Sequence, residues 1–212
     1  MRHGQSTGNE NHDMYKYPDS AVALTTLGIK QAINAGEQLK GLMQSGYFNW
    51  RWHEVHAFSS SYTRAKQTAR VVLDIMNLRH VQPIESPGIN ERRHGDKSGL
   101  LPENEHLVKK DAYWRPGAGG ETMVECRSRF GAWYRNHAEF LLTDSDVILF
   151  MHGELMMAGQ SYILGTSEDE IMKMPSRNAV PVIYERDVST GVYTQSDYKF
   201  EQFDPTTEDR IR

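Results

Sequence analysis

The chain has 212 residues, of which 24 are basic and 28 are acidic, so its formal net charge is −4. This length favours a single domain over residues 1–212, and the acidic excess argues against a nucleic-acid-binding protein, which would carry a basic surface. No apolar run approaches the ~20 residues of a membrane span, no apolar signal segment follows Met1, and one cysteine excludes a disulfide framework, so we expect a cytoplasmic protein.

The first half of the chain predicts a helix, a strand, a second helix and an edge strand, in that order. Polar residues over 10–23 indicate a surface loop. A helix is expected over 26–44, where apolar residues recur at helical spacing between a threonine cap and a glycine stop. Residues 54–61 are apolar in the middle and indicate a buried strand, and 62–78 has the spacing of a helix. Residues 81–87 predict a short edge strand, because their proline cannot donate to a sheet ladder.

The second half of the chain begins with a loop and ends with a hairpin. Residues 89–119 are interrupted by glycine and proline, so we expect a loop-rich lid over a site, with one short helix near 103–113. Five consecutive apolar residues, Val147–Met151, mark the most buried strand. The other predictions are a helix over 120–142, that strand over 146–153, a helix over 154–164, a hairpin of 179–186 with 191–198, and a loose tail from about residue 201.

Strands that alternate with helices predict an α/β fold with helices on both faces of the sheet. In such sheets, ligands bind at the carboxyl ends of the strands. His152 and Gly153 come at the end of the apolar strand. Ser59–Ser61 end another strand, and Arg64 lies in the first turn of the helix after it. Arg2 and His3 begin the chain. Two histidines and two arginines at one sheet edge predict an anion site, to which helix N-termini add N–H donors.

A phosphoryl group suits this set of side chains. A neutral imidazole such as that of His3 is a competent nucleophile near pH 7, and arginine forks such as those of Arg2 and Arg64 clamp phosphoryl oxygens. Glu91, in the glycine-containing loop, could protonate the departing alkoxide. Taken singly, each residue has an ordinary interpretation as a surface histidine, a solvated arginine or a loop carboxylate. Only their combination predicts chemistry.

The motifs and their order carry a resemblance that covers almost the whole chain. They are "RHGQSTGN", "LTTLGIKQA", "SSSYTRAKQTA", "INERRHGDKSG", "GAGGETMVECRSRF" and "FMHGELM". With them the chain resembles the histidine phosphatase superfamily, the phosphoglycerate mutase-like group. The resemblance implies a three-layer α/β/α sandwich around a mostly parallel central sheet. It also implies a small-molecule phosphomonoester as substrate and no metal or other cofactor.

The resemblance further implies a role for each candidate residue. His3 is expected to be the nucleophile that forms a phosphohistidine, and Glu91 the proton donor and then the base for water. The groups expected to bind the phosphoryl oxygens are Arg2, Asn9, Arg64, His152 and the helix N-terminus at Gly153.

Within the family, the pattern is closest to the broad-range acid phosphatases, because the insert between the N-E-R and G-E-T motifs is shorter than in the mutases. We therefore predict a phosphatase; the alternatives are a phosphoglycerate mutase and a non-catalytic module that binds a phospho-ligand. Three positions depart from the pattern: His94 stands where an aromatic residue is frequent, and Met157 stands where an arginine is usual. The third, Glu154, adds negative charge that would weaken substrate binding if it pointed inward and would have no effect if it pointed out along the helix. The sequence does not specify an oligomeric state.

One further departure lies at the start of the chain. In the family the Arg-His-Gly triplet follows a central apolar strand, whereas here only Met1 precedes Arg2. A lost central strand would leave neighbouring strands unpaired, so we expect further residues upstream.

Overall fold

The structure is a computed structural model that describes residues 1–11, 18–46, 55–96, 112–143, 145–187 and 189–205. Its α-helices are α1 (Thr7–Glu10), α2 (Thr26–Ser45), α3 (Thr63–Ile75), α4 (Met123–His137) and α5 (Gly153–Leu164). Its strands are β1 (Val55–Ser59), β2 (Ile84–Glu85), β3 (Asp146–Phe150), β4 (Tyr184–Arg186) and β5 (Tyr193–Gln195). Short 3-10 helices lie at Asp19–Ala21, Pro87–Ile89, Glu139–Thr143 and Glu168–Lys173.

The main sheet is parallel. β1 lies between β2 and β3 and runs parallel to both, while β4 and β5 form an antiparallel hairpin. The start of the chain extends the parallel sheet, because Arg2 pairs in parallel with Met151 on one side and Asn178 on the other. The N–H of His3 donates to the carbonyl of Met151 at 2.9 Å. The carboxyl ends of these strands therefore meet at one edge, as the sequence predicts.

Helices cover both faces of this sheet, which confirms the predicted α/β fold. Ala57 and Phe58, adjacent in β1, join two separate apolar clusters because successive strand side chains point to opposite faces. The cluster around Ala57 is completed by α2 and α3, and the cluster around Phe58 by α4 and α5. None of the helices in the described part of the chain is long and apolar enough to cross a membrane.

The predicted helices and strands are present, with shifted ends. α2 begins after Thr25, whose hydroxyl accepts the Gly28 N–H at 3.0 Å, and ends at Gly46, which has a φ of 70°. The helix predicted over 62–78 ends at Ile75, because Asn77 is left-handed with a φ of 61°. The helix predicted over 120–142 gives way to a 3-10 helix after His137. The helix expected near 103–113 falls mostly outside the described residues.

The first strand position of the sheet is occupied only by the first residues of the chain. The backbone nitrogen of Met1 donates to the carbonyl of Leu149 at 2.6 Å. Next to Met1, an apolar cavity of about 200 Å³ separates β3 from residues 181–184. The sheet is therefore continuous at its carboxyl edge, where Arg2 joins β3 to Asn178.

Candidate active site

The structure brings together the two histidines and the arginine that follow three different strands. The rings of His3 and His152 lie 5.2 Å apart between centroids, edge to face. Arg64 Nε lies 3.1 Å from His3 Nε2, and its side chain is only 3% exposed. Parallel pairing produces this convergence, because the three strand ends meet at one edge of the sheet.

His3 is held in one tautomer. Its Nδ1 lies 2.6 Å from the carbonyl oxygen of Gly4, and because a carbonyl only accepts, Nδ1 carries the hydrogen. Nε2 then bears the lone pair and accepts from Arg64. Burial, followed by the charges of Arg64 and Arg2, lowers the pKa of His3 well below its usual value. His3 is therefore held in its neutral form, with the lone pair of Nε2 facing Arg64.

His152 is oriented by a relay through Ser60. Its Nε2 lies 2.7 Å from Ser60 Oγ, which itself donates to Asn90 Oδ1 at 2.7 Å. Because the Ser60 hydroxyl donates its only hydrogen to Asn90, it can only accept from His152, so Nε2 of His152 carries a hydrogen and donates it to Ser60. The other ring nitrogen, Nδ1, is buried and has no hydrogen-bond partner among the described residues. A buried polar atom left unpaired costs about 1–3 kcal/mol, which a bound ligand would recover.

The remaining candidate phosphate-binding groups lie beside His3. Arg2 Nη1 donates to Ser176 O at 3.1 Å, and its guanidinium packs against Gly153, where an added Cβ would lie 3.4 Å from Arg2 Cζ. Asn9 Oδ1 accepts from the N–H of Ser6 at 3.0 Å. Asn178 Nδ2 joins the two segments, since it donates to His3 O at 3.1 Å and to Asn9 Oδ1 at 3.4 Å.

Glu91 is attached to the helix that follows His152. Its Oε1 accepts the N–H of Arg92 at 2.9 Å and the N–H of Leu155, in the first turn of α5, at 3.1 Å. Within the described part of the chain both hydrogen bonds reach Oε1, so Oε2 is the oxygen available for a proton. Burial, followed by the charge of Glu154, raises the pKa of Glu91.

Asp19, in the stretch 10–23 that was predicted to be a surface loop, contributes a side chain to the site. Asp19 lies in a 3-10 helix, and Arg64 Nη1 donates to both its Oδ1 and its carbonyl at 2.8 Å. The Asp19 side chain is 38% exposed while that of Arg64 is buried. The carboxylate thus fixes the guanidinium from the solvent side, so that its Nε faces His3.

Comparison with known proteins identifies the family. The family model described as "Histidine phosphatase superfamily (branch 1)" matches residues 1–195. The chain belongs to the histidine phosphatase superfamily.

Its relatives within this superfamily include phosphoglycerate mutases. The 2,3-bisphosphoglycerate-dependent phosphoglycerate mutase of Chelativorans sp. (strain BNC1) is 30% identical and aligns over 87% of this chain and 89% of its own. The phosphoglycerate mutase of Schizosaccharomyces pombe is 28% identical over 88% of each chain. A mycobacterial glucosyl-3-phosphoglycerate phosphatase, at 22% identity, shares the fold with a TM-score of 0.71 and covers 94% of this chain and 97% of its own. The relatives thus support phosphoryl chemistry in general.

Several residues of this histidine phosphatase site are absent from the sequence predictions. Tyr62 lies between the serines and Arg64 of one motif, and its ring contacts that of His152 at 5.0 Å. Ser60 and Asn90 belong to quoted motifs, so position in a motif could have signalled them. Asp19 has no such signal, because nothing local indicates that it reaches Arg64.

An ion pair between Glu121 and Arg129 of α4 supports the loop that carries Glu91. Arg129 Nη1 donates to Gly88 O at 2.8 Å and Asn90 O at 3.1 Å, and Nη2 reaches Glu91 O at 3.4 Å. Glu121, which is 2% exposed, binds the same guanidinium with both oxygens. The backbone of this loop is therefore held by one buried charge pair.

Replacing Glu121 with glutamine should lower the free energy of unfolding by about 3 kcal/mol, because it leaves the Arg129 guanidinium without its counter-ion. Chemical denaturation of both proteins measures this loss. The matched control is Glu125→Gln, which removes an exposed pair with Arg115 and keeps the capping box at Thr122. Equal midpoints for the Glu121 variant and the parent would contradict the structural role given to this pair.

Proposed function

We propose that this superfamily member hydrolyses small-molecule phosphomonoesters through a phosphohistidine intermediate on His3, with Glu91 as proton donor. The observation that carries the proposal is the fixed tautomer of His3. Its Nδ1–H is held by the Gly4 carbonyl, so the Nε2 lone pair faces the cationic Arg64 at the strand ends. A phosphoryl group drawn to that cation meets the nucleophilic nitrogen first.

In the first step, His3 Nε2 attacks phosphorus, the bond from phosphorus to the ester oxygen breaks, and the Glu91 carboxyl transfers its proton to that oxygen. The positive charge that develops on the imidazole is stabilised by the Gly4 carbonyl. Arg2, Arg64, Asn9 and the Gly153 N–H bind the phosphoryl oxygens, and His152 joins them through Nδ1 once the negative charge of the substrate holds a proton there. In the second step, Glu91 takes a proton from water, water attacks phosphorus, and His3 and inorganic phosphate are released.

A phosphoglycerate mutase is the second candidate, supported by the names of the relatives with about 30% identity. Hydrolysis is favoured over isomerisation because Arg92, the arginine next to Glu91, makes its hydrogen bonds to other protein groups. Its Nε and Nη2 donate to Glu154, and its Nη1 donates to the carbonyls of Trp114 and Glu121. Its side chain is fully buried, so this arginine does not offer a binding group for the carboxylate of a phosphoglycerate.

A panel of phosphomonoesters assayed in the presence of EDTA tests the proposal. We expect release of inorganic phosphate from several esters, undiminished by the chelator, because the proposed steps use only protein groups. The panel includes 3-phosphoglycerate with and without 2,3-bisphosphoglycerate. Isomerisation of 3-phosphoglycerate that requires the bisphosphate, without phosphate release, would identify a mutase instead. Binding of the esters without either reaction would indicate a non-catalytic module.

A further inference from the structure

Two carboxylates, Glu91 and Glu154, lie on segments that the structure ties together at two adjacent points. Glu91 Oε1 accepts the Leu155 N–H at 3.1 Å. The neighbouring residues of the two segments form the second contact. Arg92 Nε donates to Glu154 Oε2 at 2.8 Å, and Arg92 Nη2 donates to Glu154 Oε1 at 3.1 Å. Consecutive residues of the Glu91 loop are thus joined to consecutive residues in the first turn of α5.

Glu154 points neither into the phosphate site nor out along the helix, the two orientations considered from the sequence. Its Oε2 also lies 3.1 Å from His94 Nε2, and the Arg92 side chain that it binds is fully buried. Burial raises the pKa of Glu154, but hydrogen bonds from His94 and Arg92 outweigh this effect and lower the pKa to about 2. Glu154 is therefore a permanent negative charge close to Glu91.

We propose that Glu154 is a positioning residue for the proton donor: it anchors the Glu91 loop to α5 through Arg92, and its charge keeps the Glu91 carboxyl protonated in the resting enzyme. This rests on the acid role proposed for Glu91. Two neighbouring carboxylates in a buried site do not both ionise, and the one without a salt bridge retains its proton. Here Arg92 and His94 stabilise the charge on Glu154, which leaves the proton on Glu91.

Other charged and titratable groups also act on Glu91, and Glu154 is the like charge with the largest effect on its pKa. They are Arg92 and His94 on its own segment, Glu154 on α5, Arg129 and Cys126 on α4, and Tyr62 at the start of α3.

The test compares Glu154→Gln with the parent in pH profiles of kcat/KM for an alkyl phosphate and for p-nitrophenyl phosphate. Loss of the negative charge should move the alkaline limb to lower pH, so that kcat/KM for the alkyl ester falls about tenfold on that limb. The aryl ester needs little protonation and should change less than about twofold. Glu154→Asp restores the charge and should return the limb towards that of the parent. The matched control is Glu37→Gln, which removes one carboxylate from the exposed side of α2.

A second readout does not depend on turnover. The ¹³C shift of the Glu91 carboxyl carbon, assigned with Glu91→Gln, should titrate at lower pH in Glu154→Gln than in the parent. If Glu154→Gln fails to fold with Arg92 unpaired, the double variant Arg92→Met/Glu154→Leu tests the anchor instead, because it leaves neither charge unpaired; kcat/KM for the alkyl ester should then fall more than that for the aryl ester. An unchanged Glu91 titration in a folded variant overturns this inference. An inactive parent with the expected titration change would instead contradict the proposed function alone.

Discussion

The His3→Ala variant should lose phosphatase activity by about 10⁴-fold or more, because alanine removes the attacking atom. The same variant should acquire no phosphate when it is mixed with an aryl phosphate and quenched. In the parent, the trapped phosphate should be labile in acid and stable in base, as expected for a phosphorus–nitrogen bond, and a peptide map should locate it on His3.

His80→Ala is the matched control for that variant. His80 is an exposed histidine that precedes β2, so its removal should leave both the rate and the trapped phosphate unchanged. Hydrolysis by His3→Ala at the parental rate would refute the phosphohistidine mechanism. Hydrolysis at the parental rate with the phosphate trapped on another residue would assign the nucleophile elsewhere.

The Glu91→Gln variant should separate substrates by their leaving groups. For alkyl phosphates we expect a loss of about 10²–10⁴-fold in kcat/KM, because an alkoxide leaves poorly without a proton. For p-nitrophenyl phosphate the loss should be small, since that phenolate is stable. Steady-state kinetics on both esters measure the ratio. Glu85→Gln, which removes an exposed carboxylate in β2 that is paired with Lys66, is the control. Equal losses on both esters would argue against an acid role for Glu91.

The pH dependence of the parent follows from the same two groups. The activity requires neutral His3 and protonated Glu91. Because burial lowers the pKa of His3, the acidic limb should lie below pH 6.5, the usual imidazole value. Because burial and Glu154 raise the pKa of Glu91, the alkaline limb for alkyl esters should lie above the ordinary carboxyl range, and it should vanish in Glu91→Gln.

Local sequence signals predicted most of the fold. Thr25 caps α2 with its own hydroxyl, Thr122 and Glu125 form the capping box of α4, and Asp187 accepts the N–H groups of the final turn. These contacts join residues within a few positions of each other, so helical and strand periods reveal them. The contact between Asp19 and Arg64 was not predicted, because the two residues lie 45 positions apart in the chain.

For the candidate site, sequence by itself determined which side chains stand at the strand ends, because parallel pairing and alternating elements dictate that His3, Arg64 and His152 meet. Only the tertiary structure decided their chemical state. The tautomers of the two histidines depend on the Gly4 carbonyl and on Ser60, and the ionised state of Glu154 depends on its pairing with Arg92, 62 residues away. Protonation and charge pairing are set by atoms within about 3 Å, and folding brings these atoms together from distant parts of the chain.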